Sequence, residues 1–278
     1  ITRLSLGAQS LSAEGLRALG RTHRAEDVPP AVTAARSVGL DVSLDLIFGW
    51  PGQTAGAWRA DLAAAVALSP DHLSCYPLEL ALEPEEAVAN WPGAGWRTVE
   101  RWRRRSAAAQ PDDGGIAALY ELAEAFLERN GYRHYEIANW ARAGKRCQHN
   151  LAYWRNGDWL GVGAGAHSHL AGVRSRNSGV LPAYIAAIDR DDPRIVDPAA
   201  DAAVDGAMLA LRLDDGLDLA RYGARFGQAA ATHVRGALRS LDGTCLIRWS
   251  GERARLTSRG RLLANEVFVR LLPDDSKV

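Results

Sequence analysis

Val42-Ser43-Leu44-Asp45-Leu46-Ile47-Phe48, running into Gly49-Trp50-Pro51-Gly52-Gln53-Thr54, decides the fold. An apolar run closed by Gly and Pro reads as a buried strand, and Thr54 reads as the N-cap of a helix carried by Trp58 to Leu68. Working outward, Arg3 to Gln9 and His72 to Leu78 are strands of the same kind, and Ala31 to Val38 supplies a helix between the first two. The β-α-β-α-β order requires a parallel sheet, a piece of an α/β layer or barrel. Polar residues keep one parity in these strands: Arg3, Ser5 and Gln9 in the first, Ser43 and Asp45 in the second. Alternate side chains share a face, so Gln9 and Asp45 are expected together near the C-terminal strand ends, where such sheets place their sites. An Asp inside Leu44-Asp45-Leu46-Ile47 is costly unless it is bonded to neighbouring groups or to a ligand, and both readings stand at this point.

The 278 residues suffice for one large domain, or for a medium one and a small one. With 33 basic and 33 acidic residues the formal charge is +0, so no whole-chain field recruits nucleic acid or an anionic membrane. The longest apolar stretches fall short of a membrane span, and a cytoplasmic protein is expected. Cys75, Cys147 and Cys245 are too far apart for a zinc or cluster motif, and an odd free thiol fits a reducing compartment. The chain starts at Ile1 and enters a strand at once, which reads as a fragment whose N-terminal part is missing.

The window 84–113 breaks the pattern with Pro, Gly and Trp and with the run Arg101-Trp102-Arg103-Arg104-Arg105; it reads as an insertion. Ile116 to Arg129 is an amphipathic helix and Tyr132 to Trp140 a strand. From Asp197 the pattern is helical to Arg212, then again over Leu217 to Phe226 and Gln228 to Leu241. A hairpin over Cys245 to Trp249 and Arg253 to Thr257 and a closing helix over Arg259 to Leu271 complete a winged-helix-like module. The helix over Gln228 to Leu241 carries only His233, Arg235 and Arg239, too few cations for DNA, so a packing or lid role and no nucleic-acid partner are expected.

The chemistry gathers in Cys147-Gln148-His149-Asn150-Leu151-Ala152-Tyr153-Trp154 and in Gly161-Val162-Gly163-Ala164-Gly165-Ala166-His167-Ser168. A thiol, imidazoles, a phenol and indoles beside a backbone stripped of side chains suit a flat, metal-bearing aromatic ligand. Gly161, Gly163 and Ala166 satisfy G-x-G-x-x-G/A, but no helix pattern follows, so close approach of the backbone to another ligand is the better reading. Cys147, His149, His167 and His169 lack finger-like spacing, whereas a heme ligand needs one His or Cys with aromatic packing.

Ser5-Leu6-Gly7-Ala8-Gln9-Ser10, Leu19-Gly20-Arg21-Thr22-His23 and Leu44 to Thr54 resemble the radical S-adenosylmethionine (SAM) proteins related to oxygen-independent coproporphyrinogen III oxidase. Tyr135-Glu136-Ile137-Ala138-Asn139-Trp140-Ala141, Cys147 to Trp154, Gly161 to Ser168 and the ending Leu256 to Phe268 are similar to the heme chaperone branch, HemW. The resemblance implies an α/β fold. Residues 1–195 would be the C-terminal portion of a radical SAM partial (β/α) barrel with its extension, and 196–278 a small α+β winged-helix-like domain. It implies that Gln9, Arg21 and Asp45 contact SAM, and that His149, Asn150, Tyr153 and Trp154 form a heme-binding motif with His149 as axial ligand. Heme would pass to acceptor hemoproteins such as respiratory-chain components, and a homodimer is among the assemblies it allows. The family's [4Fe-4S] cluster sits on a close-spaced Cys motif that this chain lacks, so no metal ligand for it is named and no catalysis is expected of the chain alone. The alternative is the oxidase itself, a radical decarboxylation in porphyrin biosynthesis; the His-Asn-x-x-Tyr-Trp pattern argues against it.

Overall fold

Three parallel strands, β1 (Arg3–Gln9), β2 (Asp41–Phe48) and β3 (His72–Pro77), form the first part of the sheet, with helices α1 (Ala13–Ala18), α2 (Val28–Ser37) and α3 (Ala55–Ala67) in the crossovers. The computed structural model describes residues 1–79, 110–190, 194–196 and 201–272; the expected insertion at 84–113 falls, over 84–109, outside the described residues. The chain forms two compact units, Ile1–Arg146 and Cys147–Val278.

In the first unit α4 (Asp113–Arg129), β4 (Arg133–Glu136) and β5 (Asn139–Ala141) follow, and the sheet order is β1-β2-β3-β5-β4. Strand β2 divides its faces sharply. Val42, Leu44, Leu46 and Phe48 are fully buried on the helix side, while Asp41, Ser43, Asp45 and Ile47 take the other side. Thr54 caps α3, its hydroxyl accepting from Ala57 N at 3.1 Å, as the sequence suggested. Trp58 fills the seam between α3 and α4: its ring lies 5.4 Å from that of Phe48, and its indole N–H donates to Leu119 O at 3.0 Å.

The expected single strand over Tyr132 to Trp140 is a hairpin instead. The Glu136 carboxylate accepts from Ala138 N at 3.2 Å and from the Asn139 amide, which closes a turn without the usual Gly or Asn turn residue. Strand β5 then runs antiparallel to β3, so the sheet is mixed.

The second unit opens with α5 (Gln148–Trp154) and an antiparallel sheet of β6 (His167–Leu170), β7 (Val173–Asn177) and β8 (Arg194–Val196), with α6 (Leu181–Ile188) between the last two. The glycine at 161 has a role in the fold itself: a Cβ there would lie 2.0 Å from His167 O, so the loop needs a bare backbone to close on its own strand. Then come α7 (Ala202–Arg212), β9 (Leu217–Asp218), α8 (Leu219–Phe226), α9 (Gln228–Arg239), β10 (Ile247–Ser250), β11 (Arg253–Leu256), α10 (Ser258–Leu262) and α11 (Ala264–Leu271). Helix, short strand, two helices and a hairpin, with sheet order β10-β11-β9, is the winged-helix arrangement. Leu217–Asp218 pairs with β11 before α8 begins, and the expected closing helix divides at Leu263. No helix among the described residues is long and apolar enough to cross a membrane.

Trp58→Ala deletes a fully buried indole and its hydrogen bond, so it is expected to lower unfolding free energy by about 3–5 kcal/mol. Urea denaturation of the variant checks this.

Candidate functional site

Register brings a row of polar side chains across the inner face of the first sheet. Asp45 pairs with Ser74, Ser74 with Asn139, and Asn139 with Glu136, so four strands each contribute one member. On the β1 side Ser5 Oγ donates to the Asp45 carboxylate, with distances of 3.0 and 2.9 Å to its two oxygens. Asp45 is half-buried and accepts no other hydrogen bond among the described residues, which leaves lone pairs for a ligand hydroxyl. Asn139 is buried and its Oδ1 has no partner among the described residues. Burial, aided by the Asp45 and Glu136 carboxylates, pushes the Tyr76 phenol up.

One step toward the N-terminal strand ends, Ser43 Oγ lies 2.8 Å from His72 Nδ1, and His72 Nε2 lies 2.9 Å from the Tyr135 hydroxyl. Burial, and then the Arg3 guanidinium, hold the His72 imidazole down to about 3. It is neutral in the fold, a donor on one nitrogen and an acceptor on the other.

Gln9 reaches this face by an irregular route. A bulge between Leu6 and Gln9 pairs Gln9 with Leu46, and Gln9 takes φ of 63°. Its amide folds back over Gly7: a Cβ at Gly7, on the Ser5 side by alternation, would lie 2.5 Å from Gln9 Nε2. Arg21 is exposed in the loop after α1, which His23 ties to the strand end through a 3.2 Å contact between its Nε2 and Ala8 O. Sequence reading singled out Gln9, Arg21 and Asp45 and did not name Ser74, Asn139 or Glu136 as members of this row. An acid beside Tyr135 in a strand-like run was the available signal.

In the second unit the residues of α5 separate onto two sides. His149 and Tyr153, one turn apart, are in edge contact at 4.8 Å; Tyr153 meets Trp159 at 4.6 Å, and Trp159 meets His169 at 5.0 Å. His149 is exposed at the head of this run, with exposed Leu160 and Val162 in the following loop. Asn150 and Trp154 share the other side, where the Arg212 guanidinium sits 4.5 Å over the Trp154 ring. Cys147 occupies the N-cap position without a side-chain cap bond.

The three cysteines are unsuited to an iron–sulfur cluster. Cys75 is buried, with its thiol pushed up by burial, and no group of three His, Cys, Asp or Glu among the described residues could hold a metal ion. On α9, Arg235 pairs with Glu252, while Arg239 pairs with Asp242 at 3.2 Å and lies 4.1 Å over the Trp249 ring, so both are held within the fold.

The fold matches that of the solved structure described as coproporphyrinogen III oxidase (HemN) from Escherichia coli, a radical SAM enzyme, with a TM-score of 0.76 at 21% identity over 98% of this chain and 64% of that one. Residues 198–263 match the family described as HemN C-terminal domain. Heme chaperone HemW of Bacillus subtilis is 32% identical over 96% of this chain and 69% of its own length. That of Mycobacterium tuberculosis is 36% identical over 98% of this chain and 65% of its own. The chain belongs to the HemW family. It spans about two thirds of the length of these relatives.

Because the buried His72 refuses the proton that the unfolded imidazole accepts, stability is expected to fall as pH drops from about 6.5 toward about 3, by a few kcal/mol in order of magnitude. Chemical denaturation at several pH values, with His72→Gln losing that part of the acid slope, checks the sign.

Proposed function

We propose that the protein is a heme chaperone: it binds heme and passes it to acceptor hemoproteins, respiratory-chain components among them, in the cytoplasm. The observation that carries this reading is the exposed His149 imidazole at the head of the run His149, Tyr153, Trp159 and His169. An exposed imidazole offers iron a ring nitrogen, and it lets go more readily than a thiolate, as transfer demands. Tyr153 fixes the ring edge-on, while Asn150 and Trp154 frame the opposite side of α5.

In the same reading the inner face of the first sheet receives SAM, with Gln9, Asp45 and Arg21 as its contacts. The half-buried Asp45, bonded to the Ser5 hydroxyl, is suited to a ribose hydroxyl; the Gln9 amide and the exposed Arg21 guanidinium are suited to the amino-acid end. When bound, SAM and a [4Fe-4S] cluster supply one-electron chemistry. This chain's thiols do not fit the cluster, so its residues bind and orient only. The proposed functional division places a winged-helix-like domain at 196–278, and a homodimer is the proposed assembly.

In the full-length protein, His149→Ala is expected to abolish the heme Soret shift or weaken heme binding about tenfold or more, whereas Cys147→Ser stays near wild type. Unchanged affinity and spectrum in His149→Ala overturn the assignment.

Gly7→Ala should push the Gln9 amide off the inner face. SAM affinity is expected to drop about tenfold, the scale of one or two lost hydrogen bonds, with the circular dichroism spectrum retained. Equal SAM affinity in the two proteins removes Gln9 from the site.

A further inference from the structure

A cavity of the second unit, about 880 Å³, opens between the C-terminal end of α5, α7, β9, α8 and β11, and neither the sheet face nor the His149 run uses it. Its lining is lopsided in charge: five arginines face two aspartates. One of those aspartates, Asp218, is already committed, paired with Arg253 at 2.7 Å and capping α8 through Ala220 N and Arg221 N. Arg225 is held by the carbonyls of Arg155 and Asn156. The exposed side chains of Arg155 and Arg221 have no hydrogen-bond or ion-pair partner among the described residues.

Two buried donors also meet nothing. Asn156 is 5% exposed, with backbone φ of 51°, and its Nδ2 has no partner among the described residues; neither does Trp154 Nε1. Orphaned buried donors cost free energy unless an acceptor arrives. Both line the cavity, beside the rings of Tyr222 and Phe226, 4.9 Å apart and tilted 47° to each other. Unpartnered donors, an excess of guanidinium forks and aromatic walls describe a ligand with a planar body and anionic oxygens.

We propose that this cavity is a docking site for the carboxylates of a tetrapyrrole, with Arg155 and Arg221 as the carboxylate clamp and the Trp154 and Asn156 donors completing it. The proposal rests on the heme reading above but assigns a second site, on the side of α5 turned away from His149. Bidentate guanidinium–carboxylate pairs give such a site selectivity for the acid over its ester. DNA is a poorer occupant, since the arginines of α9 are engaged by Glu252 and Asp242.

The test uses metal-free protoporphyrin IX, which has both carboxylates and no iron for His149 to ligate, titrated into the full-length protein and followed by porphyrin fluorescence. The expected result is binding that weakens at least about tenfold in Arg155→Gln/Arg221→Gln, weakens similarly for the dimethyl ester with wild type, and is unchanged in His149→Ala. Equal affinity for acid and ester, or no effect of the double substitution, overturns the clamp while leaving heme binding at His149 standing. A heme Soret shift that is lost in His149→Ala, together with no protoporphyrin binding, has the same meaning. Absence of both heme and protoporphyrin binding overturns the two readings together. Displacement of the porphyrin by ATP or by a duplex oligonucleotide assigns the cavity to phosphates and overturns the tetrapyrrole.

Discussion

Everything in the first unit depends on the strict separation of the two faces of β2. Burying Val42, Leu44, Leu46 and Phe48 against helices fixes the strand's register, because a slip of one residue would turn those four outward. Once register is fixed, the positions of the polar residues follow without further choice. Asp45 must lie beside Ser74, and Ser74 beside Asn139. Apolar packing on one side thereby holds a hydrophilic row in place on the other.

That coupling explains what could be read from the chain and what could not. The three parallel strands and the helices α2 and α3 were legible because Gly or Pro marks the ends of β2 and β3 and the polar residues of β1 and β2 keep one parity. Asp45 stood out as a single acid in an apolar strand. Ser74 did not, because its place beside Asp45 depends on the register of β3 against β2, and neither did Asn139 and Glu136, because only the antiparallel docking of β5 against β3 brings these two into the row. The hairpin that delivers them turns on a side chain, Glu136, and not on turn residues. The glycine at 161 was ambiguous for a related reason. It makes room for the chain's own strand, and no local pattern distinguishes that from room for a ligand.

In the second unit the governing period is 3.6 residues instead of two. His-Asn-x-x-Tyr-Trp looks like one contiguous motif, yet on a helix its members fall on two sides, His149 with Tyr153 and Asn150 with Trp154. One side leads to an aromatic run, the other to a cavity rich in arginine. The cavity was hidden in the sequence because its arginines are spread from Arg155 to Arg255 and converge only through the winged-helix packing.

The bulge in β1 has an evolutionary consequence. With one residue in excess between Leu6 and Gln9, a left-handed backbone at Gln9 returns its amide to the inner face. Deleting Ala8 would restore a regular ladder opposite Leu46 and swing that amide toward the helices. Through this segment the spacing of the chain is therefore under tighter constraint than its composition, and indels there would be purged where many exchanges of side chain would pass.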